Sequence, residues 1–204
     1  MANRETYNYH EIDIEDDSVQ ALVTNSPSMV ESWISEIERI HHRRLNRLVV
    51  GLDVEWRPSF SRARNPLATL QLCVGRRCLI FQLLHTPYVP DALREFLKDG
   101  AYTFVGAGVG KDAEKLAEEQ DLEVANWVDL GALAADVSGD RSMRGAGLKG
   151  LAREYLEMEM EKPRHVALSD WDSRWLSDEQ VRYACTDAFV SFEVGRVLKA
   201  WKYG

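Results

Sequence analysis

Asp53 and Glu55 stand two residues apart near the end of the apolar run Leu48 to Trp56. Strand alternation puts both side chains on one face, roughly 7 Å apart along the backbone, with Leu52 and Val54 on the other. Two carboxylates on one face of a buried strand repel each other and lose hydration, which is costly unless a cation or a proton offsets it. A solvent-facing edge strand would carry the same pair at little cost, so the spacing alone leaves both readings open. Tyr183 and Asp187 form a second pair. Four residues apart in a helix, they lie on one side, separated by about 6 Å of rise. A core tyrosine beside a surface aspartate has the same spacing. A third acid, Asp112, follows Gly106-Ala-Gly-Val-Gly110-Lys111 and is placed to open a helix, where a carboxylate is favoured as a cap. Those glycines lack the third member of a dinucleotide fingerprint and come after three earlier strands, which disfavours a nucleotide-cofactor fold.

The elements that must position these residues follow from pattern. His10 to Ile14 and Val19 to Thr24 read as two strands around an acidic turn, an edge hairpin. Pro27 opens a helix with Met29, Val30, Trp33, Ile34, Ile37 and Ile40 on one face, ending in the basic run His41 to Arg44, which suits the negative pole of a helix end. Leu48–Trp56, Leu67–Val74 and Arg77–Leu83 read as a three-stranded meander, with a short turn at Gly75 favouring antiparallel pairing. A helix at Asp91–Lys98, a strand at Ala101–Val105 and a helix at Lys111–Glu119 come next, then a mainly helical half from Asp129. In that half Ala146–Tyr155 and Asp178–Trp201 have amphipathic spacing, the latter opening on a Ser177/Gln180 capping box and burying Val181, Cys185, Phe189, Phe192 and Val197. Strands alternating with helices predict an α/β fold, a mixed sheet flanked by helices.

Length and composition bound the class. The 204 residues suit one domain, 1–204, and 45% apolar with 28% charged residues is ordinary for a globular chain. No run reaches the length of a membrane span and no secretory leader is visible. Three cysteines without zinc-type spacing suit free thiols, so a cytoplasmic or nuclear location is expected. A net charge of −8 argues against a module that binds polyanions by a broad basic surface.

Taken together and in order, the motifs are more specific than any one of them. Val49-Val-Gly-Leu-Asp53-Val-Glu55-Trp56, Leu67-Ala-Thr-Leu-Gln71-Leu-Cys73, Ala107-Gly-Val-Gly-Lys-Asp112, Leu168-Ser-Asp-Trp171 and Leu176-Ser-Asp-Glu-Gln180-Val-Arg-Tyr183-Ala-Cys-Thr-Asp187 resemble the DEDDy 3′–5′ exonucleases. The likeness within that group is to the Werner-syndrome-type exonuclease domain, over about residues 47–200, with residues 1–46 outside it. In length and N-terminal hairpin the chain is similar to stand-alone plant members, among them the RISC-interacting clearing exoribonucleases.

The resemblance implies a ribonuclease-H-like (DnaQ-like) fold and two Mg²⁺ or Mn²⁺ ions. In the family pattern Asp53 bridges both ions, Glu55 and Asp187 complete the first, and Asp112 holds the second, partly through water. Carboxylates are hard-oxygen ligands suited to these ions, and a metal pair stabilises both the attacking and the departing oxygen of an in-line displacement. Tyr183 is the fifth catalytic residue. A phenol is only about one part in a thousand ionised at neutral pH, so its expected role is to orient water rather than to act as base. Trp56 and Leu70 match positions near the terminal base, while Lys149, with Arg144, Arg164 and His165, could track backbone phosphates; a core tryptophan and a solvated basic face are the plain alternatives. Ser169 and Trp171 are expected to build a structural corner. The substrate implied is single-stranded nucleic acid, RNA favoured over DNA because no replication or repair domain accompanies the motifs, with nucleoside 5′-monophosphates as products. A catalytically silent scaffold of the same fold, binding nucleic acid or protein, is the alternative from another class. The plant likeness further implies a homo-oligomeric ring, a hexamer, and RNA-silencing proteins as partners.

Overall fold

The computed structural model describes residues 4–59 and 65–204. Seven strands form one sheet: β1 (Tyr7–Ile14), β2 (Asp17–Thr24), β3 (Val49–Glu55), β4 (Thr69–Val74), β5 (Arg77–Phe81), β6 (Thr103–Gly106) and β7 (Trp127–Asp129), in the spatial order β1-β2-β5-β4-β3-β6-β7. β3, β4 and β5 make the expected antiparallel meander, turning at Gly75, whose φ of 58° suits a residue without a Cβ. β6 and β7 run parallel to β3 on the other side. The β1–β2 hairpin extends the sheet, β2 pairing parallel with β5 and β1 forming the edge. The five central strands, taken in chain order, lie 3-2-1-4-5, the ribonuclease-H-like arrangement. The three-residue β7 was too short to carry a periodic signal and went unforeseen.

Among the described residues three α-helices connect strands, α1 (Pro27–His41), α2 (Asp91–Lys98) and α3 (Val109–Gln120), and four follow the last strand, α4 (Leu130–Ser138), α5 (Leu148–Leu156), α6 (Arg164–Ala167) and α7 (Asp178–Val197). Pleating assigns them to faces. Val50 pairs with Phe104, which stacks edge-on with Phe96 of α2, itself against Trp33 of α1, so these helices cover the even-numbered face of β3. α7 covers the odd face. A Cβ on Gly51 would lie 2.0 Å from the Ala188 carbonyl oxygen, and one on Gly195 would meet Val49 and Val105, so the helix backbone sits directly on β3. Fully buried Ala184 and Ala188 permit the same approach. Two sequence expectations fail on the helix flanks. Val197 is 41% exposed because it lies about 200° round α7 from Gly195, the residue set against the sheet, and Ile40 is exposed near the end of α1.

Candidate active site

Asp53 and Glu55 project from β3 on the face that α7 covers, and Asp187 comes down from α7 to meet them. One carboxylate oxygen from each of the three lies within 4.8 Å of the others. Asp187 is only 4% exposed, and Asp53 Oδ2 is buried with no hydrogen-bond donor among the described residues. Desolvation, followed by the charges of Glu55, Asp187 and Asp112, raises the Asp53 pKa well above the carboxylate range. Desolvation and then Asp187 raise Glu55 to about 8. Asp187 is also raised by burial, against the pull of Lys162. Such a set, destabilised as anions and ending in an orphaned oxygen, fits a hard divalent cation such as Mg²⁺ or Mn²⁺.

Asp112 faces the same site from α3 but stands outside the three-oxygen cluster. Its charge helps raise Asp53 and Glu55, and its own carboxyl is pushed up to about 6 by burial and then by Asp129. The expectation that it caps a helix beginning at Lys111 is corrected. α3 begins two residues earlier, its N-cap is Gly108 at φ 83°, and Asp112 lies one full turn inside. Asp129, at the end of β7, does the capping instead: Oδ1 accepts from the Ala132 amide and Oδ2 from the Gly108 amide at 2.7 Å. It thereby fixes the start of the helix that aims Asp112.

The profile of the 3′–5′ exonuclease family matches residues 23–200. The chain belongs to that family. It is 34% identical over 154 residues to a 3′–5′ exonuclease of Arabidopsis thaliana, the match covering 74% of this chain and 52% of that protein. It is 29% identical over 154 residues to the bifunctional 3′–5′ exonuclease/ATP-dependent helicase WRN of Mus musculus, covering 74% of this chain and 11% of the relative. The chain thus spans about half the length of the plant relative. Among solved structures, the EXO domain of Aedes aegypti Nibbler superposes with a TM-score of 0.72 at 19% identity, covering 95% of this chain and 93% of that one, a likeness of fold.

Within this exonuclease fold Tyr183 is half-buried, one turn before Asp187 on α7. Burial and then the Asp187 charge raise its phenol to about 12. The ring is held by Trp171, 6.0 Å away centroid to centroid and almost fully buried. Trp171 belongs to the foreseen corner, which is tied down chemically: Gln180 Nε2 donates to Ser169 Oγ at 2.9 Å, while Gln180 and Ser177 close the capping box that starts α7. Arg57, just past β3, pairs with Asp170 at 2.8 Å and Asp172 at 3.3 Å, joining the corner to the strand that carries Asp53.

Sequence reasoning missed Lys162. Its ammonium lies 2.5 Å from Asp187 Oδ2 and 5.5 Å from the centre of the Tyr183 ring, with 34% of the side chain exposed. Contact with Asp187 raises its pKa despite burial. Nothing in the short run Met158 to Pro163 marks this lysine; only the fold of that loop over α7 brings it in.

The substrate-facing positions divide. Trp56 is exposed at 37%, with Lys115 Nζ 5.0 Å from its ring centre, so it is not a core residue. Leu70 is corrected: it is fully buried beside Val54 in β4 and presents no surface to a nucleotide, because its strand is covered on both faces. Lys149 and Arg164 are exposed, on α5 and α6. Arg144 is paired with Asp136 at 2.9 Å, and His165 stands 3.5 Å from Glu179.

Proposed function

We propose that the protein is a metal-dependent 3′–5′ exonuclease that hydrolyses single-stranded nucleic acid, RNA in preference to DNA, to nucleoside 5′-monophosphates, using two Mg²⁺ or Mn²⁺ ions. The single observation that carries this reading is the meeting of Asp53, Glu55 and Asp187 around an orphaned carboxylate oxygen, with Asp112 close enough to perturb them electrostatically. Asp53, Glu55 and Asp187 would hold one ion, and Asp53 with Asp112 the other. When bound, the ions supply charge stabilisation for the attacking and leaving oxygens. With a phenol near 12, Tyr183 keeps its proton at neutral pH and serves to orient the attacking water through its hydroxyl. Trp171 fixes the ring for that task. Trp56 offers an exposed aromatic face to the terminal base. A cytoplasmic or nuclear location is read from the three free, buried cysteines.

Matched single-stranded RNA, DNA and duplex substrates with labelled 5′ ends, incubated with Mg²⁺, Mn²⁺ or EDTA, test the reading. The expected result is a ladder shortening from the 3′ end, fastest on RNA and abolished by EDTA. Retention of oligonucleotide with no mononucleotide release in either metal would replace the enzyme with a binding scaffold.

A further inference from the structure

The end of the molecule opposite the carboxylates carries a cleft of about 510 Å³ between the C-terminal ends of α1 and α7. His41, Arg44, Arg47, Arg196, Lys199 and Trp201 line it over an apolar floor that includes the start of β3. In a chain of net charge −8, this gathering of cations is the exception. Arg196 is neutralised by Glu193, at 2.6 and 2.9 Å. Arg44, Arg47 and Lys199 are exposed, and among the described residues no carboxylate lies within 4.0 Å of any of them.

Compensation of the helix poles does not account for them. The carbonyl of Arg39 at the end of α1 faces the His42 ring nitrogen at 3.0 Å, while the Arg44 guanidinium donates to His41 Nδ1 instead, at 3.1 to 3.3 Å. His41 is therefore a neutral acceptor, and its pKa is lowered by burial and then by the charges of Arg44 and Arg77. Neither Arg47 nor Lys199 makes a side-chain bond to a helix carbonyl among the described residues. Uncompensated cations crowded around a groove with an indole in its wall match a phosphodiester chain, whose phosphates take the charges and whose bases stack on aromatic faces.

We propose that this cleft is a second contact site for the single-stranded polynucleotide, remote from the point of cleavage. Val49, at the cleft, and Glu55, at the carboxylates, are opposite ends of β3, roughly 20 Å apart at about 3.3 Å per residue. A long strand engaged at its 3′ end can reach both, whereas a dinucleotide cannot. The cleft thus tethers substrate to a protein whose overall charge repels it.

The test is fluorescence anisotropy of a long labelled single strand with the full chain in EDTA, comparing the parent with Arg44→Gln/Arg47→Gln/Lys199→Gln. Loss of three phosphate contacts is expected to weaken binding at least about tenfold and to lower the log–log salt slope by about 2. Dinucleotide hydrolysis in Mn²⁺ should be unchanged, which also shows that the variant folds. The single substitution Arg47→Glu, at an exposed and unpaired position, should give a smaller loss in the same direction. Parent-like affinity and salt slope in both variants would overturn the proposal. So would quenching of Trp201 by a free mononucleotide, lost in the triple variant, with long-strand affinity unchanged; the cleft would then be a small-nucleotide site. The proposal rests on the exonuclease reading only for the identity of the polymer. Binding in EDTA and dinucleotide hydrolysis are scored separately, so each idea fails on its own measurement.

Discussion

Tyr183 and Lys162 show what single residues contribute to this site. A phenol raised to about 12 is a poor base at neutral pH, which supports the proposal that its hydroxyl orients water. Tyr183→Phe should slow single-turnover hydrolysis by roughly 10² to 10⁴ while leaving oligonucleotide affinity in EDTA unaltered; an unchanged rate would remove Tyr183 from the reaction. Lys162 occupies a different position, because its ammonium meets the acidic cluster that the ions would neutralise. In EDTA, Lys162→Met leaves Asp187 buried without its partner. Discounting for the lysine's exposure, this should cost about 1–3 kcal/mol in urea unfolding at neutral pH. Saturating Mn²⁺ should erase most of the difference. A deficit that persists in Mn²⁺ would mean that Lys162 acts by packing alone.

At the scale of elements, the site depends on how closely α7 lies on β3. Gly51 is where they touch, and the Ala188 carbonyl oxygen stands where a Cβ would be. Gly51→Ala therefore must lift the helix, carrying Tyr183 and Asp187 away from Asp53 and Glu55. Expected outcomes are a stability loss of roughly 2–4 kcal/mol, in the range of other overpacking and strain effects, and loss of Mn²⁺ binding by calorimetry in the fraction that folds. Wild-type metal affinity would show that the helix is not the positioning element. The early start of α3 teaches a related point. The glycines before Asp112 were legible, but the partner that fixes them, Asp129 at the end of a three-residue strand, carried no signal of its own.

For the whole molecule, the acidic cluster is expected to link stability to pH and, on the proposed function, to metal. Glu55, raised to about 8, and Asp112, raised to about 6, keep protons in the folded state that the unfolded chain releases near pH 4. Their folded pKa values lie above the unfolded ones, so in EDTA these groups lower stability progressively as pH rises from about 4 to 8. The measurable result is a melting temperature in EDTA that falls between pH 5 and pH 8 more steeply in the parent than in Asp53→Asn/Glu55→Gln. Equal slopes would show that the two carboxylates are not strained. At pH 8, Mn²⁺ at a hundredfold excess over its Kd should stabilise the parent by about 2.7 kcal/mol, a rise of roughly 5–10 °C. The double variant should not respond.

The sequence by itself determined most of the elements and which residues were candidates for the chemistry. Apolar alternation marked β3 and put Asp53 and Glu55 on one face, helical spacing put Tyr183 a turn from Asp187, and Ser177 with Gln180 announced where α7 begins, because these are local properties of neighbouring residues. Tertiary structure alone decided which distant residues meet. It brought Lys162 to Asp187 and Asp129 to Gly108, buried Leu70 on a strand covered from both sides, and left Trp56 and Val197 in solvent. Contacts between residues far apart in the chain depend on how whole faces dock. Hydrophobic periodicity says that a face will be covered, but not which side chain of the covering loop or helix will arrive there.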